Sequence, residues 1–214
     1  MQIDSTQLNY WQEQLKDAPA MLTLPIDKQR LADIAPQTAV HHTTLPADSV
    51  QNETHLLAAY VLLLHRHSQQ DDIVVGTAVS NHLIPLRAKI TPGTTFAQLA
   101  KQLTNAQQQA QNNILPLSTL IDELQPAHDN SYAPLFQAVF AAGDLPETAY
   151  DTLYDLTLVV IQEENGWRCC WHYRADLFTE PHIQQFATHL ATLLHAAADN
   201  PDCPAKNLEM MPPE

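Results

Sequence analysis

Two neighbouring segments set the terms for the fold. Residues 53–67 read as a helix, and its middle, Leu56 to Leu64, is an unbroken apolar run. A surface helix keeps a polar side; this one has none over its middle turns, so it must be covered all round. Ile73 to Val79 follows, a continuous run rich in β-branched residues. That is the pattern of a strand buried on both faces. A helix and a strand that both need full cover call for a layered α/β structure.

The remaining segments supply the cover. Ser5 is placed to cap a first helix with Leu8, Trp11 and Leu15 on one stripe. Pro19 and Pro25 mark an irregular stretch, and Thr38 to Leu45 reads as a strand. Leu83 to Ile90 reads as another, with Pro85 arguing for an edge or a bulge. Thr94 or Thr95 caps a long helix carrying Phe96, Leu99, Leu103, Ala106 and Ala110. A short helix over Leu117 to Leu124 and a strand over Leu135 to Ala141 come next. Leu153 to Ile161 and Trp167 to Arg174 form a hairpin, with Asn165-Gly166 as a type I′ turn. Thr179 caps a last helix with Pro181 in its first turn and Ile183, Phe186, Leu190, Leu193 and Ala197 on its stripe. The expectation is an α/β sandwich with a largely mixed sheet, one unit over residues 1–214.

Charge excludes several partners. The chain has 10 basic and 24 acidic residues, a net charge of −14. No cluster of Lys and Arg stands ready to neutralise phosphates, which argues against nucleic acid and anionic membrane. The longest apolar run, Leu56 to Leu64, is too short to cross a bilayer. Cys169, Cys170 and Cys203 are odd in number and two are adjacent, so a reducing cytoplasm is the expected setting.

Four stretches stand out for their order. They are Asp71-Asp72-Ile73-Val74-Val75-Gly76-Thr77; Leu115-Pro116-Leu117 with Leu120 and Leu124; Ser131 with Pro134-Leu135-Phe136-Gln137; and Tyr173 with Asp176-Leu177-Phe178. Tyr10-Trp11 with Leu15, Ala18-Pro19 and Leu24-Pro25 precede them. In this order they resemble the C-terminal lobe of a nonribosomal peptide synthetase condensation domain. The resemblance implies a single lobe of chloramphenicol-acetyltransferase-like fold. It implies amide-forming acyl transfer as the family's activity, with phosphopantetheine carried by partner carrier proteins and no cofactor of the chain's own. The family-motif positions are Asp71, Asp72, Gly76, Asn81, Pro134, Phe136, Gln137, Tyr173, Asp176 and Phe178.

The chain departs from the family twice. The family's His-His-x-x-x-Asp-Gly signature belongs to the N-terminal lobe, and nothing in the sequence matches it. The family's Gly-Phe-Phe-Val-Asn-Thr stretch, expected ahead of Pro85-Leu86-Arg87, is reduced to Asn81-His82-Leu83-Ile84. Part of the family's tunnel lining goes with it. The tail at 205–214 resembles the exit linker that leads to an adenylation domain.

His41 and His42 are the candidate general bases, since His titrates near neutrality. The pattern is against them: Pro46 and Ala47 stand where the signature has Asp and Gly, and neighbours on a strand face opposite sides. His65 and His67 complement a helix C-terminus. His182, His189 and His195 are spaced seven and six apart, and no His-x-x-x-His occurs, so no metal site is expected. Along the second hairpin strand Trp167, Cys169, Trp171 and Tyr173 face the core, while Arg168, Cys170, His172 and Arg174 face away. That second row is either an ordinary solvated face or a carrier-facing strip, with Arg168, His172 and Arg174 as its candidates. Phe136 reads as core, and Asp176 as a cap or turn after the last strand.

These readings point to a truncated lobe without catalysis of its own, a scaffold or carrier-docking element in nonribosomal peptide biosynthesis. The alternative is acyl transfer after pairing with a separate N-lobe chain or by self-dimerisation. Expected partners are peptidyl or acyl carrier proteins, adjacent synthetase domains or that N-lobe, with a homodimer as a further arrangement. A small-molecule role rests on fold analogy alone.

Overall fold

The computed structural model describes residues 5–31, 36–127, 130–145 and 154–212. Its strands are β1 (Thr38–Pro46), β2 (Asp72–Val79), β3 (His82–Lys89), β4 (Ala138–Ala142), β5 (Leu156–Glu163) and β6 (Gly166–Arg174). Its helices are α1 (Ser5–Leu15), α2 (Glu53–Ser68), α3 (Phe96–Gln111), α4 (Leu117–Leu124) and α5 (Glu180–Asp199). The strands form one mixed sheet in the order β1-β6-β5-β4-β2-β3. β2, β4 and β5 run parallel; β3 at one end is antiparallel to β2, and β6 is antiparallel both to β5 and to β1 at the other end.

α2 lies between α3, α5 and the sheet. Each residue from Leu56 to Leu64 is 0% exposed, which is the full cover its sequence demands. Each such Leu contributes about 1.5–3 kcal/mol relative to exposure. Asn52 caps the helix by accepting the N–H of His55, and Gln69 ends it in the left-handed region at φ 59°. Thr95, not Thr94, caps α3, in a reciprocal box with Gln98.

Several expected details shift. Ser5 lies inside the described part of α1 and does not cap it. Thr179 occupies the cap position of α5, but its hydroxyl donates to Asp27 at 2.8 Å, tying the helix to the irregular N-terminal stretch. The β5–β6 turn is centred on Glu164 and Asn165, because Glu163 already pairs with Gly166. Gly166 serves another purpose: with φ at 153°, a Cβ there would lie 2.2 Å from the carbonyl oxygen of Leu45. The glycine lets the end of β1 approach. β5 begins at Leu156, and Leu153 lies outside the described residues. β3 is an edge strand, as Pro85 predicts. The stretch read as an exit linker is held down as far as Leu208, where Arg66 donates to the carbonyls of Lys206 and Leu208 at 3.0 Å.

Candidate functional site

The motif positions lie on both faces of the sheet, and most of them are fastenings. Gly76 of β2 sits beneath Phe136: a Cβ at Gly76 would come within 2.3 Å of the ring. Tyr154 stacks on the outer side of that ring, with centroids 5.5 Å apart. Phe136 reaches this place because Leu135, just before it, takes φ 70°, a conformation non-glycine residues hold only when their surroundings enforce it. Gln137 is 1% exposed. Its side-chain oxygen Oε1 accepts from the N–H of Leu22 at 2.6 Å, and its side-chain Nε2 donates to the carbonyl of Ala133 at 2.7 Å. Pro-Leu-Phe-Gln therefore pins the N-terminal stretch onto the sheet.

A second fastening surrounds the end of β6. Asp155, 1% exposed in its side chain, is gripped by both terminal nitrogens of Arg30 and flanked by Arg174 at 3.9 Å. Arg174 also donates to the Ser131 carbonyl at 2.8 Å and to Asp176 at 3.2 Å. Burial pushes the Asp155 carboxyl up, against the pull of the two guanidiniums. Burial also acts upward on Asp176, but the Arg174 hydrogen bond and charge outweigh it and hold that carboxyl below its ordinary value. This corrects the carrier-facing expectation for Arg174, which is 2% exposed. Strand alternation predicts its face, but that face is roofed at this end by Arg30 and Ser131. Cys170, on the same row, is also buried. Arg168, paired with Glu163 at 2.7 Å, and half-buried His172 remain near solvent.

Other motif residues act likewise. Asp72 receives two hydrogen bonds from Arg87, at 2.8 and 2.6 Å, and Arg87 also donates to the carbonyls of Gln14 and Lys16, holding the end of α1. Asp71 stays exposed, 3.7 Å from the imidazole of His65. Tyr173 and Phe178 are buried, Phe178 against Phe186 and His182.

The concave feature these fastenings frame is a cleft of about 370 Å³. Its walls are Asn81, His82 and Leu83 from the β2–β3 hairpin, Leu117 and Ile121 from α4, and Pro134 with Tyr154. The hairpin closes in two residues, Ser80 and Asn81, with φ of 48° and 63°, a type I′ turn. His82, unremarked in the sequence except as part of the shortened segment, is the imidazole on the cleft wall.

His41 and His42 are not part of the cleft. They lie on β1, at the opposite end of the sheet from the β2–β3 hairpin, on the order of 20 Å away by strand spacing. His41 faces α5, 3.4 Å from Glu180, while His42 is exposed on the other face, near His172. A pair of imidazoles also forms where sequence spacing suggests none: His67 of α2 and His189 of α5 meet at 3.0 Å. Burial and the neighbouring charges lower His67 to about 4. No three His, Cys, Asp or Glu among the described residues are grouped to hold a metal, and no described helix is long and apolar enough to cross a membrane.

Residues 82–214 match the Condensation domain family. The chain belongs to the condensation-domain family. A linear gramicidin synthase of Brevibacillus parabrevis is 29% identical over 239 residues, covering 91% of this chain and 3% of that protein. Phosphinothricin tripeptide synthetase PhsC of Streptomyces viridochromogenes is 29% identical, covering 91% of this chain and 22% of that protein. The gramicidin synthase alignment is longer than this 214-residue chain, so the relative carries residues that the condensation-family chain lacks. Among solved structures, the X-domain from teicoplanin biosynthesis, in a complex with OxyB, superposes with a TM-score of 0.86 at 19% identity over 98% of this chain and 56% of that one. A four-domain nonribosomal peptide synthetase bound to AMP and glycine gives 0.86 at 18% identity, over 99% of this chain and 21% of that one. The condensation-family chain thus spans a small part of its curated relatives and about half of the X-domain chain. The fold is a chloramphenicol-acetyltransferase-like lobe of a condensation domain.

Proposed function

We propose that this condensation-family lobe is non-catalytic on its own and serves as a scaffold or carrier-protein docking element in nonribosomal peptide assembly. The observation that carries this reading is the β2–β3 connection, closed by Ser80 and Asn81 alone. The family resemblance places a longer, tunnel-lining stretch there. The histidines nearest in pattern to the family signature, His41 and His42, are at the other end of the sheet. Phosphopantetheine on a carrier protein is the group such a lobe would meet, and Arg168 and His172 are its candidate contacts. Support for a protein-binding role comes from the teicoplanin X-domain, a fold neighbour captured in a complex with OxyB.

The cleft with His82 on its wall favours a second reading. Pairing with a separate N-terminal lobe would roof that cleft and restore acyl transfer. Intact-protein mass spectrometry separates the two. The lobe is mixed with acyl-loaded and aminoacyl-loaded carrier proteins, with and without an N-lobe chain. Binding of the carriers with no transfer of mass in either mixture is the expected result. Transfer by the lobe alone, lost in His41→Ala, His42→Ala or His82→Ala, overturns the scaffold reading; transfer only with the N-lobe establishes the second.

A further inference from the structure

We propose that the outer edge of β1 pairs with β1 of a second copy of this chain, joining two six-stranded sheets about a two-fold axis. The proposal goes beyond the scaffold reading and holds whether or not the lobe transfers acyl groups.

The two edges of the sheet are built differently. β3 carries Pro85, Arg87 and Lys89, and proline and cations are the usual means of keeping an edge strand from pairing. β1 lacks both until its last residue: Thr38 to Leu45 contains no Asp, Glu, Lys, Arg or Pro. It is nine residues long, against an ordinary strand length of about 5–6. Among the described residues only β6 pairs with it. Thr38, Val40, His42 and Thr44 form an exposed row on one face. Val40, at 44%, is the one exposed large hydrophobic side chain within a described helix or strand.

Charge selects the occupant. The chain carries −14, so two copies repel over most of their surfaces, and β1 itself adds no carboxylate to that repulsion; Glu180 beside it lies on the inner face against His41. A strongly acidic or basic segment would find no counter-charge on it. A second β1 matches it in length, polarity and lack of charge. Run antiparallel about an axis through the strand's middle, the copies set exposed residues opposite exposed ones, and the Val40 row continues across the seam. Main-chain hydrogen bonds supply the affinity, as in other strand additions. A single strand-to-strand seam with no packed core is at the weak end of specific contacts, so the expected Kd is on the order of 10–100 μM.

Sedimentation equilibrium from about 1 μM to about 1 mM brackets that range. The full chain is compared with Val40→Lys, which sets a cation into the seam twice, and with Met211→Lys, which alters an exposed side chain elsewhere. Wild type and Met211→Lys are expected to dimerise alike. Val40→Lys should raise the Kd roughly tenfold or more with its thermal midpoint unchanged. Hydrogen exchange on the wild type gives a reading free of any variant: amides of residues 38–46 should exchange more slowly as concentration rises. A wild type that stays monomeric throughout overturns the proposal. So does a dimer in which exchange over residues 38–46 ignores concentration, whatever Val40→Lys does.

Discussion

The two ends of β6 carry arginines on the same face of the sheet, and they have opposite fates. Arg168 has 43% of its side chain exposed and pairs with Glu163, while Arg174 is 2% exposed and sits among Asp155, Asp176 and the Ser131 carbonyl. The strand's alternation treats them alike. What separates them is what lies above: solvent over Arg168, and Arg30 with the chain around Ser131 over Arg174. The same contrast runs through the whole lobe. Residues that carry its family likeness, among them Gly76, Phe136 and Gln137, are buried and fasten loops or rings to the sheet. In this half of the fold, the likeness marks how the chain holds together more than where chemistry happens.

The sharpest way to break the contrast is to remove Arg174. Arg174→Ala leaves Asp155 and Asp176 short of a counter-charge in a buried setting and should cost about 3–5 kcal/mol in urea unfolding. A loss below 1 kcal/mol, on the order of a surface pair, would show that this end of β6 is no more fixed than the other. Gly76→Ala comes next. Its methyl group would enter the Phe136 ring, with an expected loss of about 1–3 kcal/mol. Adding Phe136→Leu should recover part of that loss in a double-mutant cycle, because the two sites share one contact.

A smaller effect tests burial away from β6. His67 is lowered to about 4, first by burial and then by His189, His182 and Arg66. His189 is lowered too, by burial and then Arg66 and His182. The unfolded chain binds the proton near pH 6.5 and the folded chain only near pH 4, so stability is full above about 6.5 and falls as pH drops between them. The loss should be about 1 kcal/mol after solvent screening is allowed for, and His67→Gln should flatten the slope of urea midpoint against pH in that window. Smallest of all, Arg168→Ala should leave the unfolding midpoint where it is.

Much of the fold was legible because its strongest signals were burial signals. The apolar run in α2 and the β-branched run in β2 needed no tertiary information to demand cover, and Pro85 marked an edge because a missing N–H has only a few tolerable places in a sheet. What was not legible required knowing which distant segment lay on top. Arg174 looked like a surface residue because nothing in residues 166–174 announces Arg30. His67 and His189 looked unrelated because spacing along each helix says nothing about a meeting between helices. Asn165-Gly166 looked like the centre of a turn, whereas Gly166 is required one step later by the approach of Leu45. The cleft is only half visible in the sequence: Asn81 belongs to the family pattern, while His82 and Tyr154 carry no signal beyond their neighbours.

The sheet's pairings also differ in how far apart in the chain their partners lie. β2 and β3 join through two residues, but β1 pairs with β6, from near opposite ends of the sequence. Closing the first loop costs little chain entropy and closing the second costs the most. On a ribosome the difference becomes a matter of waiting. β1 is made before the other five strands, yet its partner strand emerges only after every other strand and all helices but α5. Throughout that interval an uncharged nine-residue strand stands with both edges open, and the period in which it can pair with the wrong chain is set by the time taken to translate the rest of the lobe.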